Sequence, residues 1–298
     1  IMLKNEITNE IEFSEIGELG DNWREYEGFK ANETNRREKQ QALVDNKKYK
    51  IWTSKGWCNI NRVIRHKCNK QIYRITTHTG IVDVTEDHSL LDENGNKIKP
   101  TEVKVGERLL NHYPEISSNK SSVNFDTIEK YKVEILGKNI EEKRAFIYGF
   151  FYGDGSCGRY NCSSGVKYSW GLNQKNLDFC LILEELLEEI YGKEFKILDT
   201  IKSSNVYKIT PSCGDIKTFV EIYREKFYNK AKYKIVPTEI LNGTDNIKEG
   251  FLAGYYAADG SNCINEKTKC LRMCNKGKIG TAGLFYIAKS LGLNVSLN

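Results

Sequence analysis

The sequence contains no apolar run approaching the roughly 20 residues that span a bilayer, and its opening segment, IMLKNEITNE, is too charged for the apolar region of a secretory signal. Both absences weigh against a membrane-spanning or exported chain and predict a soluble intracellular one. There is also no CxxC pair, and the four histidines are not clustered. The nine cysteines are odd in number and scattered, which suits reduced thiols better than a disulfide framework. Cys157/Cys162 and Cys270/Cys274 are spaced like zinc half-sites, but nothing in the sequence completes either, so they read as buried or semi-exposed thiols. A strong charge excess is missing too: the net charge of +5 permits nucleic-acid binding without demanding it.

What is present suffices for packed cores. Hydrophobic residues make up 39% and charged residues 29% of 298 residues, a length that suggests two domains. Residues 49–110 alternate apolar and polar positions with β-branched and aromatic residues, and turn signals at 54–56, 79–80 and 92–95 cut them into short hairpins. This predicts an all-β module. The polar stretch 29–48 reads as an exposed insert or loop, and the Ser/Asn-rich stretch 114–125 as a linker. Thereafter helical patterns appear at 141–153, 177–191, 216–227, 247–258 and 282–291 with strand-like runs between, predicting a mixed α/β second half. The tract YREKFYNKAKYK, 223–234, interleaves aromatics with cations. It reads equally as a phosphate-contacting surface or as a solvated helix end.

Self-comparison decides the reading of the second half. FIYGFFYGDGS, 146–156, recurs as FLAGYYAADGS, 251–261, with Phe, Gly, Asp, Gly and Ser in register and Gly153 matched by Ala258. A hairpin-like stretch, a strand and an apolar helix follow each copy, so the unit is a duplicated helix–strand–strand–helix. Gly149 with Gly153, and Gly254 with Ala258, put small residues on one helix face, where two helices can meet backbone to backbone. Their C-terminal ends would then bring Asp154 and Asp259 together against adverse helix dipoles, an arrangement that calls for a divalent cation, with hard oxygen ligands suited to Mg²⁺. Taken singly, either Asp-Gly-Ser would be an ordinary turn.

The second copy, LAGYYAADG, resembles the signature of the LAGLIDADG homing endonucleases, with YGFFYGDG as a diverged first copy. The resemblance covers 141–298. It implies an α+β endonuclease of two pseudo-symmetric αββαββα halves, 141–243 and an incomplete 244–298, whose saddle-shaped sheets grip a double-stranded DNA target site. It also implies that Asp154 and Asp259 bind the metal and cut both strands, and KIVP, 234–237, resembles the block that supplies an active-site lysine, here Lys234.

Residues 62–91, RVIRHKCNKQIYRITTHTGIVDVTEDHSLL, resemble the middle of an all-β hedgehog/intein-type splicing domain, and are especially similar to inteins of family B DNA polymerases of large DNA viruses. The core is TEDH, whose Thr85 and His88 match the block that acts on the upstream scissile peptide bond; histidine is poised for such proton exchange near neutral pH. His66 and His78 have no such support and read as structural. The resemblances together imply the N-terminal part of a splicing domain over 1–115, a linker over 116–140 and the endonuclease over 141–298. The implied partners are DNA and the flanking host segments (exteins), for a monomer acting in cytoplasm, nucleus or viral factory.

The chain begins with Ile1 and ends Leu297-Asn298, without the Cys or Ser start and His-Asn end of a complete intein. We therefore expect a fragment cut at both ends, which does not splice alone and lacks the last elements of the second endonuclease half. Two rival expectations are a degenerate, splicing-only intein whose signature helices are a structural interface, and a non-cleaving DNA-binding module.

Overall fold

The computed structural model describes all residues except 29–38, 45–47, 112, 115–122, 213, 265–268 and 298. The chain divides into two compact units, Ile1–Ile116 with Val295–Asn298, and Ser117–Asn294.

The first unit is built from short strands: β1 (Met2–Asn5), β2 (Ile11–Phe13), β3 (Arg24–Glu25), β4 (Lys39–Leu43), β5 (Tyr49–Thr53), β6 (Gly56–Asn59), β7 (Arg62–His66), β8 (Ile72–Thr77), β9 (Gly80–Thr85), β10 (Leu90–Leu91) and β11 (Lys97–Ile98). They form antiparallel sheets ordered β2-β1-β5-β6 and β3-β4-β7, and two hairpins, β8-β9 and β10-β11. One 3-10 turn, Ile16–Leu19, is the only helical element among its described residues. The exposed insert expected over 29–48 needs correction in part: residues 39–43 form β4 inside a sheet, with Gln41 and Ala42 fully buried. Polar composition concealed this strand because Gln41 is held by the guanidinium of Arg62 at 2.8 Å. The rest of that insert falls largely outside the described residues, as do most of the Ser/Asn-rich stretch and Asn298.

The second unit runs α1 (Phe125–Glu134), α2 (Ile140–Asp154), β12 (Gly155–Cys162), β13 (Gly165–Gln174), α3 (Leu177–Tyr191), β14 (Phe195–Asp199), α4 (Ile201–Ser204), β15 (Tyr207–Pro211), α5 (Ile216–Phe227), α6 (Thr238–Leu241), α7 (Asp245–Asp259), β16 (Ser261–Ile264), β17 (Lys269–Arg272) and α8 (Lys278–Ser290). The segment 116–140, read above as a linker, contains a packed helix: α1 starts on an Asn124 capping box and buries Ile128 and Tyr131, the latter stacked on Phe146 of α2. The polar run before it masked a helix of under three turns.

Strands β12-β13-β15-β14 make an antiparallel sheet with two unlike faces. The inner one carries Trp170, Leu172, Phe195 and Ile209, all buried, against α3 and α5. Trp170 sits among Phe151, Phe195, Phe219 and Tyr223, with ring centroids 5.1–6.1 Å away. Tyr223 and Phe227, the aromatics at the head of the 223–234 tract, are therefore core residues. The periodicity of α5 turns those two rings inward, while Tyr228 is half-buried and Tyr233 exposed, so the aromatics of the tract divide between core and surface. Among the described residues, no helix is long and apolar enough to cross a membrane.

Candidate active site

Helices α2 and α7 form the centre of the second unit, and glycine sets their distance. A methyl group placed on Gly149 would lie 1.9 Å from the Phe251 carbonyl oxygen, and one on Gly254 would lie 2.0 Å from that of Phe146. The two contacts exchange matched positions of the repeat, as a pseudo-two-fold axis between the helices requires. One turn on, a methyl on Gly153 would lie 2.7 Å from the Ala258 Cβ and 3.2 Å from the Asp259 Cβ. The helices thus stay in close contact to their last turn, and Asp154 and Asp259 end them side by side.

The electrostatics record that proximity. Burial raises the Asp154 carboxyl above its ordinary range, and the nearby Asp259 carboxylate raises it further, while Lys234 and Lys175 act in the opposite direction. Two carboxylates, half-buried Asp154 and exposed Asp259, stand at the negative ends of two helix dipoles and concentrate negative charge there. Among the described residues no three His, Cys, Asp or Glu side chains cluster as a metal site. A pair of carboxylates nevertheless suits a hard divalent cation, which commonly keeps several waters and is held by one or two carboxylates together with phosphate oxygens of a substrate.

Lys234 occupies a specific place beside the pair. After α5 the chain turns back so that Ile235 N–H donates to the Phe227 carbonyl at 2.7 Å and Lys234 bridges to Tyr228. This return feeds the Lys234 ammonium into the C-terminus of α2. It donates to the carbonyls of Phe151, Tyr152, Gly153 and Gly155 at 2.7–3.1 Å. Those of Tyr152 and Gly153 are carbonyls that the helix end leaves unsatisfied, while that of Phe151 also accepts from Gly155 N–H and Gly155 itself opens β12. Burial brings the Lys234 pKa down to about 8, against the upward pull of Asp154, Cys157 and Asp259. The lysine therefore holds the helix end that presents Asp154, as well as lying near both carboxylates.

The sequence reading missed Lys175 and Asn173. Lys175 follows β13 immediately and its charge acts on Asp154, while Asn173 donates to the Asp154 carbonyl at 2.9 Å. A signal existed in the repeat: Lys175 directly precedes the α3 N-cap Asn176, and Lys276 directly precedes the α8 N-cap Gly277.

Thr85 and His88 belong to the other compact unit. They follow β9 in a turn where His88 N–H donates to the Thr85 carbonyl at 2.9 Å. The Thr85 hydroxyl donates to Asp87 at 2.9 Å, and Asp87 also pairs with Lys70. These bonds, Lys70 first, hold the Asp87 carboxyl down at about 2. The His88 residue is exposed. Cys157 is buried and unbridged, with its thiol pushed up by burial, while Cys162 and Cys274 are exposed free thiols and Cys270 is a half-buried one.

No protein-family model matches the chain. A DNA polymerase of Acanthamoeba polyphaga mimivirus is 50% identical over 291 residues, which is 97% of this chain and 16% of that protein. A DNA polymerase of Thermococcus hydrothermalis is 29% identical over 235 residues, 74% of this chain and 13% of the relative. The chain thus spans about a sixth or less of the length of these curated relatives. Among solved structures, mesophilic variants of the homing endonuclease I-DmoI are 16% identical, with a TM-score of 0.39 over 52% of this chain and 79% of that one. I-DmoI in complex with DNA and Mn is 17% identical, with a TM-score of 0.37 over 52% and 78%.

Proposed function

We propose that residues 141–298 act as a LAGLIDADG-type endonuclease that hydrolyses double-stranded DNA with a divalent metal, Mg²⁺ being the expected ion. The observation that carries this reading is the carboxylate pair, Asp154 and Asp259, ending two helices that glycine contacts hold together, with Asp154 raised partly by Asp259. Asp154 and Asp259 would hold the metal, which when bound supplies charge neutralisation at the scissile phosphate and a more acidic water. The chain's own residues do the rest. Lys234 keeps the α2 terminus in place and lies near enough to offset developing charge, and Lys175 adds a cation on the Asp154 side. Water attacks phosphorus, the P–O bond to the leaving sugar oxygen breaks, and that oxygen takes up a proton.

The relatives bear on the surrounding frame. A 291-residue match within polymerases some six times longer supports an insertion within a DNA polymerase chain. We propose that the first unit is the N-terminal part of an intein splicing domain, with His88 and Thr85 acting on the upstream peptide bond joined to the host segment. The bond from Thr85 to Asp87 must then open for the hydroxyl to meet that peptide.

The test is to express the insertion with its natural flanks and incubate it with Mg²⁺ and duplex DNA carrying the uninterrupted polymerase coding sequence. Site-specific double-strand cleavage is expected. Splicing without cleavage would sink the endonuclease reading in favour of a splicing-only element, and binding unaffected by Asp154→Asn with Asp259→Asn, with no cleavage by the wild type, would favour a DNA-binding module.

A further inference from the structure

The outer face of the sheet is nearly bare at its centre and free of acid. Pairing registers put Ser156, Gly158 and Tyr160 of β12, Lys167, Ser169, Gly171 and Asn173 of β13, Lys196 and Leu198 of β14 and Lys208 of β15 on the face opposite Trp170. No Asp or Glu of these four strands shares it. Three lysines do, and they differ in kind. Lys167 and Lys196 are exposed, whereas Lys208 is half-buried on an interior strand.

Lys208 is also fixed in place. Its stem lies across Gly171, where a methyl would come 2.4 Å from the lysine Cε and 2.9 Å from both its Cγ and the Ile209 carbonyl oxygen, so the bare glycine is what lets the stem lie flat on the sheet. Its ammonium donates to the Ser169 hydroxyl at 2.8 Å. Burial lowers its pKa, the mark of a cation with part of its water removed. Lys208 pairs across the ladder with Asn173, whose amide holds the Asp154 carbonyl. A pinned cation therefore stands on the sheet floor, one strand across from the strand that grips the carboxylate end of α2.

We infer that Lys208 is a specificity-determining residue of the DNA site: its tethered ammonium offers its remaining N–H donors to the paired acceptors of a guanine edge in the major groove, at base pairs near the carboxylates. The inference rests on the endonuclease reading above. A lysine serving phosphate is best left long, exposed and mobile, which describes Lys167 and Lys196. A donor-only head, held by Ser169 on a stem laid flat over Gly171, is arranged to meet one position of one base, and guanine presents two adjacent acceptors there.

The test measures affinity of the full insertion, without metal, for a duplex carrying the uninterrupted polymerase coding sequence and for duplexes changing each of its base pairs singly. For the wild type, one G·C pair should stand out, with replacement costing roughly 10- to 100-fold. Lys208→Met should lose the same factor on the native duplex and become indifferent at that pair alone. Lys208→Arg should retain the guanine preference, and Lys196→Met should weaken all duplexes alike with a shallower salt dependence. Circular dichroism and melting of each variant identify any that fail to fold, and Ser169→Ala, which frees the head without removing it, should give a partial loss at the same pair. A uniform loss for Lys208→Met across the panel, like that of Lys196→Met, overturns the inference and leaves the endonuclease reading intact. A wild type that binds none of the duplexes overturns that reading, and this inference with it.

Discussion

Helices α2 and α7 carry the same eleven-residue pattern yet are secured by different means. At its start α2 has a full capping box, Asn139 accepting from Glu141 and Glu142 N–H while Glu142 reaches back to Asn139 N–H; Thr244, at the start of α7, makes no side-chain cap. At their ends both helices close with the same backbone bond, Gly155 N–H to the Phe151 carbonyl and Gly260 N–H to that of Tyr256, but only α2 also gives the carbonyls of Phe151, Tyr152 and Gly153, with that of Gly155 beyond it, to Lys234. Between the ends the two are nearly interchangeable, because each glycine meets the carbonyl of the other helix's phenylalanine. The shared middle is where a duplicated sequence must stay alike, since both partners of a symmetric contact change together. The ends face different neighbours and are free to diverge.

The sharpest break of that symmetry is chemical. Asp154→Asn and Asp259→Asn should each reduce Mg²⁺-dependent cleavage by at least ~100-fold in single-turnover assays while melting as cooperatively as the wild type. Equal losses would make the two ends equivalent in chemistry despite their unlike supports.

Packing comes next. Gly149→Ala and Gly254→Ala should each cost about 3 kcal/mol in denaturant unfolding, because the added methyl meets backbone that cannot move without parting the helices. Gly153→Ala meets side-chain atoms, the Ala258 methyl, Asp259 Cβ and Tyr255 Cδ2, and should cost less. Combining it with Ala258→Gly swaps the two copies and should recover most of that loss, a coupling a double-mutant cycle can read.

The Lys234 support should be worth about 2 kcal/mol to the second unit, since Lys234→Met strips donors from carbonyls that burial keeps from water. It also has a pH signature. With its pKa at about 8 in the folded chain against 10.5 unfolded, the unfolded chain binds more protons between those values. Stability from this group is therefore flat below pH 8 and rises with pH from about 8 to 10.5. The methionine variant should lack that rise in pH-dependent melting.

Asn139→Ala should cost about 1 kcal/mol and Thr244→Ala nearly nothing, measured by the same unfolding assay. The smallest effect concerns Asp154 itself. Its raised carboxyl costs stability above its folded pKa and nothing below the unfolded carboxyl range, so relieving it stabilises the metal-free protein near neutrality. Asp259→Asn should lower the Asp154 pKa part-way towards the ordinary range, read by carboxyl NMR titration, with burial keeping the remainder.

Much of the second unit was legible because its elements are long and periodic. The helix expected over 177–191 spans those residues, as does the one over 216–227, and the matched glycines and aspartates marked where two helices meet. The failures have a common cause. Helix α1 is short and follows a polar run, and β4 is a polar strand whose buried Gln41 depends on Arg62 from another strand. Neither advertises its burial locally. Lys175 and Asn173 escaped notice for a related reason: they meet Asp154 only when β13 returns to the end of α2, and the lysine repeated before each N-cap was a faint trace of it.

By itself the sequence determined the duplication, the helix face that glycine opens and the two acids at its ends, because period and register are properties of the chain alone. The tertiary structure decided which groups surround those acids. Lys234 lies about 80 residues from the carbonyls it holds, and Lys208 lies 39 from the serine that tethers it. Contacts across such separations leave no periodic mark in sequence, since they arise only when the sheet and the helix pair bring distant segments to one place.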